Sequence, residues 1–314
     1  MIRYVLQRVA GAAGVLLVVS FLVYWLGTFI PGDAATVIVG SEGATAEQYR
    51  ELRRRLGLDD PIPVQYARWL ASALRGDFGK SPISGRLVSE DVGRQLPVSL
   101  ELAVLSLVGS IIIGLPVGVL AARHAHRRAD LAMRSGFLVL FSIPPFVAGV
   151  LLVLAGSLYL GPLYQSRFVP LAEDPLGNLR ALLLPTLSVA LPLAAMTAQM
   201  TRAALLEVLA EPFIVTARAK GLREQAIVYG HALKNALVPV VTLQGYVFGS
   251  LLGGLIVTEQ VFNLPGLGRG LLTALNGRDY PLVIGGTLVI AASYVLVNLL
   301  VDLLYPVLDP AQAR

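Results

Sequence analysis

Leu102-Ala-Val-Leu-Ser-Leu-Val-Gly-Ser-Ile-Ile-Ile-Gly-Leu-Pro-Val-Gly-Val-Leu-Ala-Ala122 runs for 21 residues without a charged side chain. A helix rises about 1.5 Å per residue, so this stretch matches a hydrocarbon core of roughly 30 Å. Five more uncharged runs have similar or greater length: 9–30, 135–160, 181–201, 236–258 and 281–301. Six such runs would overfill the core of a soluble domain, so each reads as a membrane-spanning helix. Alternating ten-residue segments are absent, which disfavours a membrane barrel. The expected fold is therefore an all-α integral membrane protein with six transmembrane helices.

Composition agrees. Hydrophobic residues make up 55% of the 314, charged residues only 14%, and mean hydropathy is +0.71. Soluble domains carry roughly a quarter charged residues. The net charge of +5 raises nucleic acid as a partner, but the basic residues fall mainly between apolar runs and form no clustered face. The partner they point to is the lipid bilayer, with no nucleic acid. Cysteine is absent, which excludes disulfides, thiolate metal sites and cysteine nucleophiles. His124 and His126 sit among Arg123, Arg127 and Arg128, where a solvated loop is the better reading than a metal site. The first apolar run is long and lacks a small-residue cleavage site, so it is expected to stay as an anchor.

Basic residues orient the spans through the short loops. Arg3 and Arg8 precede the first. Arg123, Arg127, Arg128 and Arg134 crowd the loop after the second, against Asp130 alone. The segment after the fourth carries Arg202, Arg218, Lys220, Arg223 and Lys234 against three acids. Both termini are thus expected to be cytoplasmic. The chain divides into a cytoplasmic end with the first span (1–30), an extracytoplasmic helical segment (31–94) and a transmembrane core with the remaining spans (95–314).

Segment 31–94 holds nine basic and nine acidic residues and reads as a small helical hairpin. Thr45 and Gln48 form a capping-box pattern, Gly57 ends the first helix, and Pro61 and Pro63 precede a second over 64–74. There Tyr66, Arg68 and Trp69 offer either a shield for the helix ends or a docking surface. Gly114, Pro116, Gly118, Pro144, Pro145, Pro185 and Pro192 punctuate the spans, as kinked helices around a conduit would require.

Catalytic chemistry is missing. No P-loop, HExxH or G-x-S-x-G pattern occurs, so the chain is not read as an enzyme, and no cofactor or metal site is expected. Ionisable residues are nearly absent from the apolar runs. A proton- or sodium-coupled carrier normally keeps carboxylates or histidines in mid-membrane; Glu259 and Asp302 are the two candidates, both near helix ends. No repeat between the halves suggests inverted symmetry. Energy is therefore expected to arrive from elsewhere.

The loop 202–239 is more than a connector. Glu211 and Pro212 start a short helix that breaks at Gly221, and a second helix begins near Arg223 and leads into the fifth span. Within it, Thr216-Ala-Arg-Ala-Lys-Gly221 and His231-Ala-Leu-Lys-Asn-Ala-Leu237 resemble the EAA loop of ATP-binding-cassette importer permeases. The branch resembled is that of the dipeptide, oligopeptide, nickel and glutathione systems, and the first of their two permeases. Ile30-Pro-Gly-Asp33, Leu56-Gly-Leu-Asp59, Gln65-Tyr66, Gly76-Asp-Phe-Gly79, Glu259-Gln-Val-Phe-Asn-Leu-Pro-Gly-Leu-Gly268, Arg278-Asp-Tyr-Pro281 and Asn298-Leu-Leu-Val-Asp-Leu-Leu-Tyr305 extend the likeness along nearly the whole chain. Departures are Val215-Thr216-Ala217 in place of Glu-Ala-Ala, Val238-Pro239 in place of an earlier Leu-Pro, and Asp309-Pro-Ala311 at the close.

The resemblance implies a type I importer permease in the cell membrane. It would be paired with a second permease as a heterodimer, with two ATP-binding subunits beneath and an extracytoplasmic solute-binding protein above. Glu211, Thr216, Ala217, Arg218, Ala219, Lys220, Gly221, His231 and Asn235 then make the ATPase-coupling loop. Glu259, Phe262, Pro265 and Gly266 are candidates for an external gate, since an acid after a long uncharged run should face a pathway or a partner; snorkelling to the outer surface is the alternative. Tyr66, Arg68 and Trp69 are candidates for contact with the binding protein. A channel or exporter subunit is the other function class, and the loop 202–239 is what a plain channel has no need of. Peptides, metal chelates and glutathione all remain open as cargo.

Overall fold

The computed structural model describes residues 2–29, 46–55, 57–161 and 167–308. Ile30-Pro-Gly-Asp33, the expected cap Thr45, Leu56 and Asp309-Pro-Ala311 lie outside the described residues. Helix dominates what is described, with one isolated bridge, between Lys80 and Leu87. In chain order the helices are α1 (Ile2–Gly27), α2 (Ala46–Arg55), α3 (Ile62–Ala73), α4 (Val88–Arg123), α5 (Arg128–Ser142) and α6 (Pro145–Ala155). They continue as α7 (Pro175–Leu209), α8 (Pro212–Ala219), α9 (Leu233–Gly254), α10 (Ile256–Val261), α11 (Leu267–Asn276) and α12 (Tyr280–Leu308). Five helical stretches, 5–27, 88–123, 175–209, 226–254 and 280–303, are long and apolar enough to cross a membrane.

The third expected span is not one rod. α5 and α6 meet at an angle of 95°, and they make a sixth crossing only if the bent pair counts as one. Pro144 and Pro145 are the cause. Each lacks an N–H, and a residue before proline is pushed out of the helical region. Ile143 accordingly has φ −86° and ψ 116°, Pro144 φ −58° and ψ 139°, and Pro145 restarts the helix. One proline kinks a helix; two in succession end it and begin another.

The chain forms two compact units, 1–99 with 265–299, and 100–264 with 300–314. In the first, α3 lies on α1. Tyr66 shares a hydrogen bond of 2.7 Å with Ser20, and its ring stands edge-on to Phe21 at 5.2 Å. Trp69 tilts against Tyr24 at 5.4 Å. Gln65 holds the preceding turn by donating to the Asp60 carbonyl at 2.7 Å. The apolar centre of this unit gathers Val88, Val92, Leu267, Ala274 and Leu282.

In the second unit α7 is the enclosed helix, burying residues along its length from Gly177 to Leu205. Asp174 caps it, accepting from the Leu176 and Gly177 amides at 3.1 and 3.0 Å. α7 runs unbroken through Pro185 and Pro192. Gly114 and Gly118 of α4 are contact surfaces rather than kinks, because α4 also continues through Pro116. A Cβ on Gly114 would lie 2.5 Å from the Ala194 carbonyl oxygen, and one on Gly118 2.6 Å from that of Ala198. Glycines four apart thus face alanines four apart, the small-residue packing by which helices associate in lipid.

This close approach gives a test. Gly118→Val should push α4 away from α7 and cost about 1–3 kcal/mol, as overpacking does. The expected readout is a lowered melting temperature of the detergent-purified protein with unchanged helical content by circular dichroism. A melting temperature equal to the parent's would show that the two helices do not rely on this contact.

Candidate functional site: the loop after α7 and the turn after α10

Past Leu209 the chain turns at Ala210, and Glu211 is extended (φ −69°, ψ 147°) ahead of Pro212. Pro212 sits in the first turn of α8, where a missing N–H is harmless. α8 is eight residues long, too short to stand alone in water. What holds it is Ile214, fully buried against Val119 of α4, Leu205 of α7 and the Ile227–Val228 pair beyond the break. Thr216 donates back to the Pro212 carbonyl at 3.1 Å, and Ala217 packs at the edge of the same cluster.

The break falls where the sequence places it. Lys220 closes α8, and Gly221 takes φ +76°, a left-handed conformation that glycine adopts without penalty. A Cβ there would meet open space, so the constraint is on the backbone alone. Arg218 and Glu224 clamp the break from either side, with Nη2 to Oε1 at 2.8 Å and Nε to Oε2 at 3.3 Å. Each stabilises the charged form of the other: hydrogen bonding raises the Arg218 pKa and lowers that of Glu224. Both side chains are about half exposed, so the pair fixes geometry more than it adds stability.

A helical stretch with a wide π-type turn, Ala226–Ala232, then leads into α9. His231 is exposed there, and Asn235 donates to its carbonyl at 3.3 Å. Glu211, Thr216, Arg218, Ala219, Lys220 and Gly221 are likewise exposed, whereas Ala217 is half-buried. The sequence reading missed the apolar part of this surface. Phe213, Val215, Leu222 and Tyr229 are exposed at 45, 58, 42 and 54%. For three of them the signal was present: Phe213 and Val215 flank the inward Ile214, and Tyr229 follows the inward Val228, so the core contact is already supplied.

A second missed feature anchors the same region. Arg202, near the end of α7, grips Asp130 of α5 through two hydrogen bonds of 2.7 Å, and the His126 amide donates to Asp130 at 3.0 Å. The Asp130 side chain is 3% exposed and that of Arg202 16%. The clue was Asp130 as the lone acid in a basic loop.

At the turn after α10, Glu259 is entirely buried and Phe262 nearly so. Snorkelling to the outer surface is therefore not what Glu259 does in this structure. α10 packs against α6, and the Phe262 ring edge rests on Gly149. The Leu264 amide bonds the Glu259 carbonyl at 2.9 Å, and Asn263 has φ +55°. Glu259 and Phe262 belong to the second unit, Pro265 and Gly266 to the first, where Gly266 caps α11 and the Leu267 amide donates to Ser99 Oγ at 2.8 Å. Tyr66 and Trp69 are half-buried on α1 as described above; Arg68 is exposed and pairs with Asp60 at 2.6 Å.

Apolar helices of spanning length define a multi-pass membrane protein, and the braced loop between two of them presents an exposed apolar face. The family comparison makes this specific. The model of binding-protein-dependent transport system inner membrane components matches residues 114–314, and the model of that family's N-terminal part matches 1–102. The chain belongs to this family. It is the membrane permease of an ATP-driven, type I importer, a transport subunit of the cell membrane rather than an enzyme, and permeases of this kind work with ATPase and binding-protein subunits.

Relatives match end to end. A protein named as a peptide transport system permease in Brucella suis biovar 1 (strain 1330) is 40% identical over 99% of this chain and 98% of its own. A peptide ABC transporter permease of Sinorhizobium fredii (strain NBRC 101917 / NGR234) is 36% identical over 98% of both. A glutathione transport system permease of Salmonella paratyphi A (strain ATCC 9150 / SARB42) is 38% identical over 99% of both.

The buried pair supplies the prediction here. Asp130→Ala leaves Arg202 without its counter-charge and should cost about 3–5 kcal/mol, whereas Asp130→Leu combined with Arg202→Met should cost far less. Thermal unfolding of the detergent-purified protein, followed by tryptophan fluorescence, separates them. Equal losses in the single and double variants would contradict the pairing.

Proposed function

We propose that this chain forms half of the translocation pathway of an importer for short peptides or glutathione. Its expected partners are a second permease, two ATP-hydrolysing subunits and an extracytoplasmic binding protein. Both termini and the loop 202–239 face the cytoplasm, 31–94 faces outside, and 95–314 forms the permease core. The substrate class rests on the names of relatives 36–40% identical over nearly the full chain; glutathione, as a short peptide, shares its chemistry with the rest.

One observation carries the coupling role. α8 is pinned on one side by Ile214 and open on the other, with an apolar patch and the Arg218–Glu224 clamp across a glycine break. A surface loop with no partner gains nothing by exposing Phe213, Val215, Leu222 and Tyr229 together; an ATPase groove would cover them. When the ATPase pair closes, the knob of Glu211, Thr216, Ala217, Arg218, Ala219, Lys220 and Gly221, backed by His231 and Asn235, moves with it. Because Ile214 ties the knob to α4 and α7, that displacement reaches the spans.

The turn at Glu259, Phe262, Pro265 and Gly266 is the proposed external gate. Of the three candidates for binding-protein contact, Arg68 has the most open side chain, while Tyr66 and Trp69 seat the same helix, α3, on α1. The hydrolytic step belongs to the partner subunits.

Reconstitution with the co-encoded subunits tests this reading through uptake of dipeptides, longer peptides and glutathione. Gly221→Leu must hold a left-handed backbone at a cost of roughly 1–2 kcal/mol. It should leave the chain inserted and basal ATPase intact while transport falls by about tenfold or more; Gly221→Asn, which tolerates that conformation, should keep most of it. Unchanged transport by Gly221→Leu would sink the coupling assignment.

For the gate, Glu259→Gln keeps a hydrogen-bonding group and removes the charge, and Glu259→Ala removes both. Transport is expected to fall in each. Parental transport and ATPase stimulation in both variants would show that the gate lies elsewhere.

A further inference from the structure

On the first unit a cavity of about 340 Å³ opens between the start of α4, the turn before it, and α11. Ser81, Arg86 and Asp91 line one side, Arg269, Thr273 and Asp279 the other. Its volume is at the lower end for a site holding a whole small ligand and is ample for one side chain.

Four charged groups border it, two of each sign, yet they are not equally available. The Asp91 side chain is 3% exposed; it accepts from Ser84 at 2.8 Å and from Arg86 at 2.8 and 2.7 Å. Asp279 is 2% exposed and accepts from Ser81 and from the Leu282 amide. Both acids are used up inside the fold. Arg86 is different: its side chain is 47% exposed. A guanidinium carries five N–H donors in a fixed fork, and Nε and Nη2 face Asp91, which leaves donors turned outward. Arg269, at the opposite wall, is half-buried and already engaged. Along 80–94 the exposed charges agree in sign, Lys80, Arg86 and Arg94 against Glu90. What the cavity offers a guest is therefore the outward edge of the Arg86 guanidinium, although its formal charges sum to zero.

We propose that this cavity is a socket for an acidic side chain, Asp or Glu, of the solute-binding protein. The inference rests on the function proposed above, in which this part of the chain is extracytoplasmic. A carboxylate is the group whose geometry a guanidinium fork matches in two parallel bonds. Asp91 behind Arg86 keeps the fork in place before the guest arrives, so the guest need not order a loose side chain. Such a contact sets register and association rate, and it weakens with salt because the mouth is open to solvent.

The test uses the assembled complex in lipid nanodiscs and the purified binding protein of the same system. Association is measured by surface plasmon resonance between about 50 and 300 mM salt, a range over which exposed charges are increasingly screened. Arg86→Ala is expected to weaken association by about tenfold and to flatten its salt dependence, with Arg86→Lys in between, since it keeps charge and loses the fork. Thr273→Trp fills the mouth from an exposed helix position without touching a charge and should weaken association equally. Arg86→Ala also leaves Asp91 buried and unpaired, so Arg86→Ala with Asp91→Asn is the control: it should stay weak.

Recovery of binding in that double variant would show that the single change acted through misfolding, and would overturn the socket. So would parental affinity in Arg86→Ala and Thr273→Trp. A wild-type complex that neither binds nor responds to the binding protein would instead defeat the importer reading itself, which keeps the two failures distinct.

Discussion

Everything in the second unit depends on how closely α4 and α7 approach. In lipid there is no hydrophobic drive to bring helices together, because acyl chains solvate leucine as well as another helix does. Association must come from packing and from polar contacts. Gly114 and Gly118 remove the side chains that would hold the backbones apart, and Ala194 and Ala198 present the matching face. Gln244 of α9 then donates at 2.7 Å to Thr197 of α7, which also faces Gly114. Ser110 of α4 reaches Gln244 with a longer bond of 3.4 Å. Three helices are thereby tied by neutral groups, each buried, and a polar atom that cannot reach water is strongly held to its partner.

The loop after α7 inherits this rigidity. α8 has too few residues to hold its own shape, yet it stands on Ile214, and Ile214 stands on α4 and α7. Arg202, two turns earlier, is locked to Asp130. A push on α8 therefore meets a lever clamped to its neighbours rather than a hinge that would absorb the motion. The glycine at 221 supplies the one sharp turn, and the Arg218–Glu224 bridge keeps it from opening. Stiffness here is what a coupling element requires, since strain dissipated in a loop does no work on the spans.

Much of this was legible in the residues. Long uncharged runs announce spans because a single segment can satisfy its own backbone in hydrocarbon only as a helix, and the break at Gly221 followed from a glycine after a basic turn. Other features were legible only in part. Pro144 and Pro145 signalled a kink, but a bend of 95° depends on where the second helix finds its packing, which α10 and α7 decide. Gly114 and Gly118 looked like punctuation, because a sequence does not say whether a glycine bends its own helix or admits another. Tyr66 and Trp69 read equally as docking aromatics or as packing, and their rings are engaged with Phe21 and Tyr24. The Arg202–Asp130 pair joins residues 72 apart in sequence, beyond the reach of any local pattern.

The distribution of polar groups bears on how the spans are powered. Gln244, Thr197 and Ser110, which tie the middle of α9, α7 and α4, are uncharged. The charged contacts described lie near helix ends: Asp130 with Arg202, Arg218 with Glu224, and Arg86 with Asp91. Moving one charge across a membrane potential changes its energy by about 2.3 kcal/mol per 100 mV. Neutral ties carry no such term, so these three helices can tilt against one another without working for or against the potential. These charged pairs, buried as in Asp130–Arg202 or open as in Arg218–Glu224, sit at helix ends rather than in mid-span. The arrangement suits a pathway driven mechanically, by a partner pulling on a loop, since a device that harvests an ion gradient would need its titratable groups where this chain has amides and hydroxyls.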